Sequence, residues 1–215
     1  MSQINYYISK SSDSLIAHQS IIEKAIKTAE QFTFPKLGIN WDIDLLIKSQ
    51  KAKYQDTKDH VSGFTHRSDL ITMDLEKGFQ DFEITEVLIH ELCHAGRWGK
   101  NSEFMNNLFD HLIFEGLAVY FTEQFSKIQP KRQLFMEIIV SRSEKDNEKL
   151  LMDLKPKFND TNYNSNEIFY GNSEKFPYYS GYSLGYYLIK KYLVKTGKTI
   201  DQAFTDKYSD FKLII

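Results

Sequence analysis

Residues 84–95 read ITEVLIHELCHA, and this stretch carries both a helical pattern and a chemical motif. Its apolar residues repeat at steps of three and four, as on the buried face of an amphipathic helix: Ile84, Val87, Leu88, Leu92 and Ala95. His90 and His94 lie four residues apart, so on a helix they share one face. The stretch therefore predicts a helix with a buried face and a separate face that carries two imidazoles.

The spacing of His90 and His94 is typical of a zinc site. Two imidazoles one helical turn apart can reach a single zinc ion at roughly 2.0–2.1 Å. Glu91 points about 100° further round the helix axis, where it can act on a metal-bound water instead of binding the metal. We therefore expect this HExxH motif to hold Zn²⁺, with Glu91 as general base. A surface helix with solvated histidines is the alternative interpretation.

A third ligand is needed, because catalytic zinc sites usually have three protein ligands and leave one position for water. The metzincin pattern requires glycine and histidine three and six residues after His94, where this chain has arginine and lysine. Glu115 is the next candidate, since it interrupts an apolar helix predicted from Glu103 to about Phe125, where an unpaired carboxylate is expensive to bury. His111, one turn earlier, is the rival ligand, although it is expected rather to lie beside the ligands or in the cleft. A partly exposed or arginine-paired Glu115 is the other alternative. Gly116 indicates close approach of another backbone, such as that of the motif helix.

The zinc motif followed by Glu115-Gly116-Leu117-Ala118 resembles the glutamate-zincins, metallopeptidases whose third ligand is a glutamate on the helix after the motif helix. More narrowly, the chain is similar to a bacterial family of predicted zinc-dependent proteases catalogued as a domain of unknown function. The likeness includes the segment YSGYSLGY at 179–186 and spans roughly residues 60 to 195. It implies Zn²⁺ held by His90, His94 and Glu115, and a peptide or protein substrate. Several glutamate-zincins carry an aspartate four residues after the ligand glutamate to orient a ligand histidine, but this chain has Val119 there, so that partner is unidentified.

Tyrosine is concentrated near the C-terminus, with seven of the thirteen tyrosines between Tyr170 and Tyr192, around a helix predicted after Pro177. Most of them are expected to pack, with hydroxyls bonded to nearby backbone. Peptide hydrolysis passes through a tetrahedral oxyanion, and a hydrogen-bond donor beside the metal lowers that barrier. Tyr182 is the predicted donor, and Tyr179, three residues earlier on the same face, is the alternative.

The remaining patterns predict an α+β, mainly helical, zincin-like fold with a small N-terminal sheet beside the motif helix. The predicted elements are a helix at about 13–32 that Pro35 and Gly38 end, strands at Trp41–Ile47 and Ile71–Leu75, and a helix at about 131–152. We expect one catalytic domain over residues 1–215, with an N-terminal lobe at about 1–100 and a helical C-terminal lobe at about 101–215. By the resemblance, Gly63–Leu75 lines the cleft and pairs with extended substrate.

Composition narrows the class of protein. The formal net charge is −2 without a dense Lys/Arg run, so the electrostatic footprint of a nucleic-acid-binding protein is absent. No apolar stretch reaches about 18 residues, and the first ten residues do not read as a signal peptide. The one cysteine, Cys93, allows no intrachain disulfide. We therefore expect a cytoplasmic protein without nucleic-acid or membrane partners.

The expected function is hydrolysis of peptide bonds by a zinc-activated water, with Glu91 as base. The alternatives are a non-catalytic zinc-binding module and a zinc amidase or esterase that acts on a non-peptide substrate. Glu91 argues against the first, because a structural zinc site needs no base and usually closes its fourth position with protein. The sequence leaves open the substrate, the choice between endo- and exopeptidase, and the oligomeric state.

Overall fold

The structure, a computed structural model, describes residues 2–49, 59–101, 103–171, 173 and 175–215. The predicted class is confirmed, because within these residues the chain is mainly helical with one small sheet. The strands are β1 (Ile4–Ile8), β2 (Ile43–Ser49), β3 (Val61–Arg67) and β4 (Leu70–Leu75). The helices are α1 (Gln19–Leu37), α2 (Asp81–Lys100), α3 (Leu108–Ser126), α4 (Leu134–Ser141), α5 (Glu144–Leu154), α6 (Ser180–Thr196), α7 (Ile200–Ala203) and α8 (Tyr208–Phe211).

The chain divides into two compact units. The first comprises Met1–Lys100 and Gln124–Leu134, and the second comprises Asn101–Glu123 and Phe135–Ile215. The first unit contains the sheet, α1, the motif helix α2 and the last three residues of α3. The second unit contains the rest of α3, all of α4 except its first residue, and α5 to α8.

The sheet of the first unit has the strand order β1-β2-β4-β3, so β3 lies at an edge. β2 pairs in parallel with β1 and β4, and β3 runs antiparallel to β4. The predicted alternation in β2 is confirmed, since Ile43, Leu45 and Ile47 are fully buried while Asp44 and Leu46 are exposed. The strand predicted at Ile71–Leu75 corresponds to β4. β2 therefore presents one apolar face to the core, as period-two patterning requires.

Helix α1 shows that the prediction of a break at Pro35 is wrong. Pro35 lies inside the last turn of the helix, which continues to Leu37. A proline there removes a single backbone hydrogen bond near the end of the helix. The helix ends instead at Gly38, whose φ of 58° lies in the left-handed region and whose N–H donates to the Phe34 carbonyl.

Side-chain caps account for two other differences from the predicted helices. α3 begins at Leu108 and not at Glu103, because Asn107 Oδ1 accepts the backbone N–H of Asp110 at 3.0 Å. The single helix predicted at about 131–152 is two helices, α4 and α5. Ser143 separates them and caps α5 by accepting the Asp146 N–H at 3.1 Å.

As for membrane insertion, none of the helices in the described ranges is both long and apolar enough to cross a bilayer.

A buried carboxylate anchors α2 within the first unit. Glu86 is 1% exposed, and its Oε2 accepts the backbone N–H of Gln133 at 2.8 Å. Burial is the main reason that the pKa of the Glu86 carboxyl is raised above its ordinary value, with the Gln133 hydrogen bond acting in the opposite direction. The folded state therefore binds this proton more tightly than the unfolded chain does.

The raised pKa of Glu86 predicts a pH-dependent stability. The protonated form contributes stability that is fully present below the unfolded-state pKa and is lost as the pH rises through the raised folded-state pKa. We expect the free energy of unfolding of the wild type, relative to Glu86→Gln, to fall as the pH rises. Urea denaturation of both proteins from about pH 4 to pH 8 measures this difference. A difference that does not vary with pH would contradict the prediction.

Candidate metal centre

Helix α2 carries both motif histidines close together. Its first turn contains Asp81 and Glu83, which suit the positive end of a helix, and its apolar stripe is buried. His94 is 6% exposed, and its Nε2 lies 3.0 Å from Nε2 of His90. The two rings are nearly perpendicular, with centroids 4.7 Å apart. The helix therefore aims the same nitrogen of both imidazoles at one point.

This pair of nitrogens fits a zinc ion. Two ligands at 2.0–2.1 Å from a tetrahedral zinc lie about 3.3 Å from each other, close to the separation that the structure shows. Two neutral imidazoles that face each other through Nε2 can share only one proton between them, whereas a cation accepts both lone pairs. The donor geometry of His90 and His94 therefore matches the predicted metal.

Glu91 is held by β3 of the first unit. Thr65 Oγ1 lies 2.7 Å from Glu91 Oε2 and 2.9 Å from the Glu91 carbonyl oxygen, so its hydroxyl can donate to either. At Gly63, a Cβ would lie 2.6 Å from Glu91 Cγ and 2.8 Å from Val87 Cγ1. A larger residue there would push the glutamate away. Gly63 and Thr65 together therefore set the position of the Glu91 side chain against the edge strand.

Glu115 lies on α3, among residues of the second unit. It is 9% exposed, and its Oε1 lies 3.6 Å from Nε2 of His111, one turn earlier on the same helix. His111 Nδ1 in turn lies 2.9 Å from the hydroxyl of Tyr163. Burial is the main reason that the pKa of the Tyr163 hydroxyl is raised above its ordinary value, and the negative charges of Asp110 and Glu115 raise it further. Tyr163 therefore remains a neutral phenol beside the histidine.

Glycine makes room where α3 meets α6. A Cβ at Gly116 would lie 2.4 Å from the carbonyl carbon and oxygen of Gly185, and one at Gly185 would lie 2.2 Å from the Leu112 carbonyl oxygen. The expected close approach of a second backbone at Gly116 is confirmed, and the backbone in question is that of α6. Substitution of either glycine would force α3 and α6 apart.

The two tyrosines predicted as oxyanion donors lie in one aromatic cluster of the second unit. Tyr182 on α6 is 6% exposed, its hydroxyl donates to the Tyr170 hydroxyl at 2.6 Å, and its ring meets Phe135 edge to face. Tyr179 precedes α6 with φ of 61° and ψ of 30°, and among the described residues it is the one non-glycine residue with positive φ. Its ring also meets Phe135, with centroids 4.9 Å apart. The hydroxyl of Tyr182 therefore already has a partner.

Three candidate ligands from the sequence come together. One ligand atom from each of His90, His94 and Glu115 lies within 4.8 Å of the other two. Within the described part of the chain, neither His111 nor the buried Cys93 belongs to this group. Two imidazole nitrogens and one carboxylate oxygen form the kind of donor set that catalytic zinc sites use.

Two neighbours of these side chains were not predicted. Thr65 contacts Glu91 across 26 residues, and Tyr163 contacts His111 across 52 residues. Thr65 lies within Gly63–Leu75, the stretch that the resemblance places along the cleft, but its contact with Glu91 has no local signal. Tyr163 lies in a stretch rich in Asn and Ser without a helical or strand pattern, so its contact with His111 has none either.

A family model described as "Predicted Zn-dependent protease (DUF2268)" matches residues 17–212. The match includes all of α2 and α3, and therefore all three candidate ligands. Nothing among the curated proteins and nothing among the solved structures matches the chain. The family description names zinc, and the donor group suits zinc, so the predicted cofactor Zn²⁺ is confirmed.

Proposed function

Since the chain belongs to the family of predicted zinc-dependent proteases (DUF2268), we propose that it is a zinc metallopeptidase of the glutamate-zincin type that hydrolyses peptide bonds. The observation that carries the proposal is the grouping of His90, His94 and Glu115, with Glu91 next to the first of them on the same helix. A base placed beside a three-ligand zinc group suits hydrolysis, whereas a purely structural zinc site has no use for it.

In this proposal each side chain has one role. His90, His94 and Glu115 would hold the metal. A zinc ion bound there would supply Lewis-acid chemistry, which polarises a carbonyl and lowers the pKa of water towards about 7. Glu91 would act as general base, accepting a proton from the attacking water and later returning it to the leaving amine. The Thr65 hydroxyl, 2.7 Å from Glu91 Oε2, holds one carboxylate oxygen and leaves Oε1 to carry the proton.

The edge strand supports a peptide as the substrate. β3 lies at the edge of the sheet, and an edge strand can add an extended peptide through its backbone N–H and C=O groups. A Cβ at Gly63 of this strand would lie 2.6 Å from Glu91 Cγ, so a peptide paired with β3 would lie near the base. Phe64, 61% exposed on the same strand, offers an apolar contact for a substrate side chain. A small non-peptide amide or ester would use none of these features.

Hydrolysis of a diverse peptide mixture tests the proposal. The purified chain is incubated with the mixture before and after removal of metal by a chelator, and again after zinc is restored. We expect cleavage that disappears with the metal and returns with zinc, read by mass spectrometry. Cleavage of small amide or ester substrates alone would favour the non-peptide hydrolase, and the absence of any cleavage by the zinc-loaded protein would contradict the proposal.

Tyr182 is proposed as the donor to the oxyanion, with Tyr179 as the alternative. To act, the Tyr182 hydroxyl must exchange its partner Tyr170 for the substrate. We expect Tyr182→Phe to lower kcat by about 10²–10³, as loss of an oxyanion donor does, with little change in melting temperature. Tyr170→Phe is the matched control, since it removes the partner and leaves the Tyr182 hydroxyl in place. Equal kcat values for Tyr182→Phe and the wild type would transfer the role to Tyr179 or to neither residue.

A further inference from the structure

His111 is fixed on three sides within the second unit. On its own helix, Glu115 Oε1 lies 3.6 Å from Nε2. From the segment before the π-helical turn Asn166–Tyr170, the Tyr163 hydroxyl lies 2.9 Å from Nδ1. Phe169 in that turn stacks on the imidazole, with centroids 4.1 Å apart and planes 25° apart. The stack on Phe169 defines the plane of the ring, and each ring nitrogen faces one oxygen atom.

The stacking partner is itself held in place. Phe169 is 1% exposed, and its ring lies where a Cβ at Gly181 of α6 would come within 2.6–2.8 Å of it. The absence of a side chain at Gly181 therefore provides the space in which the Phe169 ring rests against His111. Single π-helical turns are frequent at functional sites, and this one supplies the surface under the imidazole.

One direction of the hydrogen bond between Tyr163 and His111 places a proton where it can reach Glu115. A neutral phenol that donates its O–H to Nδ1 leaves the ring proton of a neutral histidine on Nε2. Nε2–H then faces Glu115, and donation to one carboxylate oxygen leaves the other oxygen for a metal. The present separation of 3.6 Å exceeds the 2.7–3.2 Å of a hydrogen bond, so a carboxylate movement of about half an ångström completes the bond.

We propose that His111 is a positioning residue for Glu115, which it orients by donating from Nε2 to Oε1, and that Tyr163 selects the required histidine tautomer. The inference rests on the proposed role of Glu115 as a zinc ligand. It also gives Glu115 an orienting partner. This partner, His111, lies one helical turn before Glu115, whereas the position one turn after Glu115 is Val119. Partners of this kind orient ligands and raise metal affinity.

Zinc affinity tests the proposal without reference to hydrolysis. The dissociation constant of the full chain for zinc is measured by competition with a chromophoric chelator. We expect His111→Phe, which keeps an aromatic ring on Phe169, to weaken zinc binding by about 10–100-fold, the usual effect of losing a ligand's partner. Tyr163→Phe should weaken zinc binding by less, because it removes the hydroxyl that selects the His111 tautomer but leaves the imidazole in place. Tyr192→Phe, which removes a hydroxyl bonded to Asp206, is the matched control and should bind zinc normally.

His111→Gln separates a positioning residue from a ligand. The glutamine Nε2 can occupy the place of the histidine Nε2 and donate to Glu115, but an amide nitrogen is not a zinc ligand. We therefore expect His111→Gln to recover most of the affinity that His111→Phe loses. An equal loss of zinc affinity in both variants would overturn the proposal and indicate that His111 itself binds zinc. Unchanged affinity in His111→Phe would overturn it too, even if peptide hydrolysis by the wild type is established.

A melting curve of each zinc-free variant accompanies the affinities. The proposal expects the zinc-free His111→Phe protein to melt close to the wild type, since the stack on Phe169 is retained. If His111→Phe lowers the melting temperature of the zinc-free protein as well as the affinity for zinc, the positioning role is overturned. His111 would then serve the packing of α3.

Discussion

Replacement of Glu91 with glutamine is expected to remove most peptide hydrolysis and to leave zinc bound. Glutamine has nearly the same shape, so Gly63 and Thr65 can still accommodate it, but it cannot take a proton from water. General acid–base groups contribute about 10²–10⁴-fold to rate, so the loss should be of that size and should fall mainly on kcat. Steady-state kinetics with a cleaved peptide and elemental analysis of the same sample measure the two effects.

Glu86→Gln provides the control for this variant. It makes the same chemical change on the same helix, at a buried glutamate that bonds to the Gln133 backbone and lies outside the group of candidate ligands. Its kcat should stay close to that of the wild type. Near-normal hydrolysis by Glu91→Gln, in a preparation freed of contaminating peptidases, would contradict the assignment of Glu91 as base.

Removal of a ligand is expected to have the second large effect. His94→Ala and Glu115→Ala each leave two of three protein ligands, and we expect both to lose zinc during purification. The fall in affinity should exceed the 10–100-fold expected for His111→Phe, because a ligand contributes a bond to the metal itself and not only the orientation of another residue. Zinc content by elemental analysis, together with the chelator competition, measures both variants. Full zinc in Glu115→Ala combined with loss of zinc in His111→Ala would show that the third ligand is His111.

The parts of the fold that the sequence predicted are those set by local patterns. α2 follows from the apolar stripe of residues 84–95, and β2 follows from the alternation that buries Ile43, Leu45 and Ile47. The errors lie where a local pattern allows two outcomes. Proline usually ends a helix, yet near a C-terminus it removes only one hydrogen bond, and α1 continues through Pro35. β1 was not predicted, because a strand of five residues carries little periodicity.

The candidate site divides in the same way. The ligand spacing and the base are local, so His90, Glu91 and His94 could be predicted from five consecutive residues. Glu115 required a chemical argument about a carboxylate in an apolar helix. The contacts that hold these side chains could not be predicted. Thr65 meets Glu91, and Tyr163 meets His111, only after the strands and helices have packed. Contacts across 26 and 52 residues depend on tertiary structure and have no local signature.

X-ray absorption at the zinc edge of the metal-loaded protein is the most direct measurement of the central claim. A centre made by His90, His94 and Glu115 predicts two imidazole nitrogens at about 2.0–2.1 Å, a carboxylate oxygen at about 2.0–2.2 Å and one further light atom from solvent. The spectrum of Glu115→Ala should lack that carboxylate if any zinc remains bound. A sulfur at about 2.3 Å, which would be Cys93, or a third imidazole from His111 would contradict the assignment.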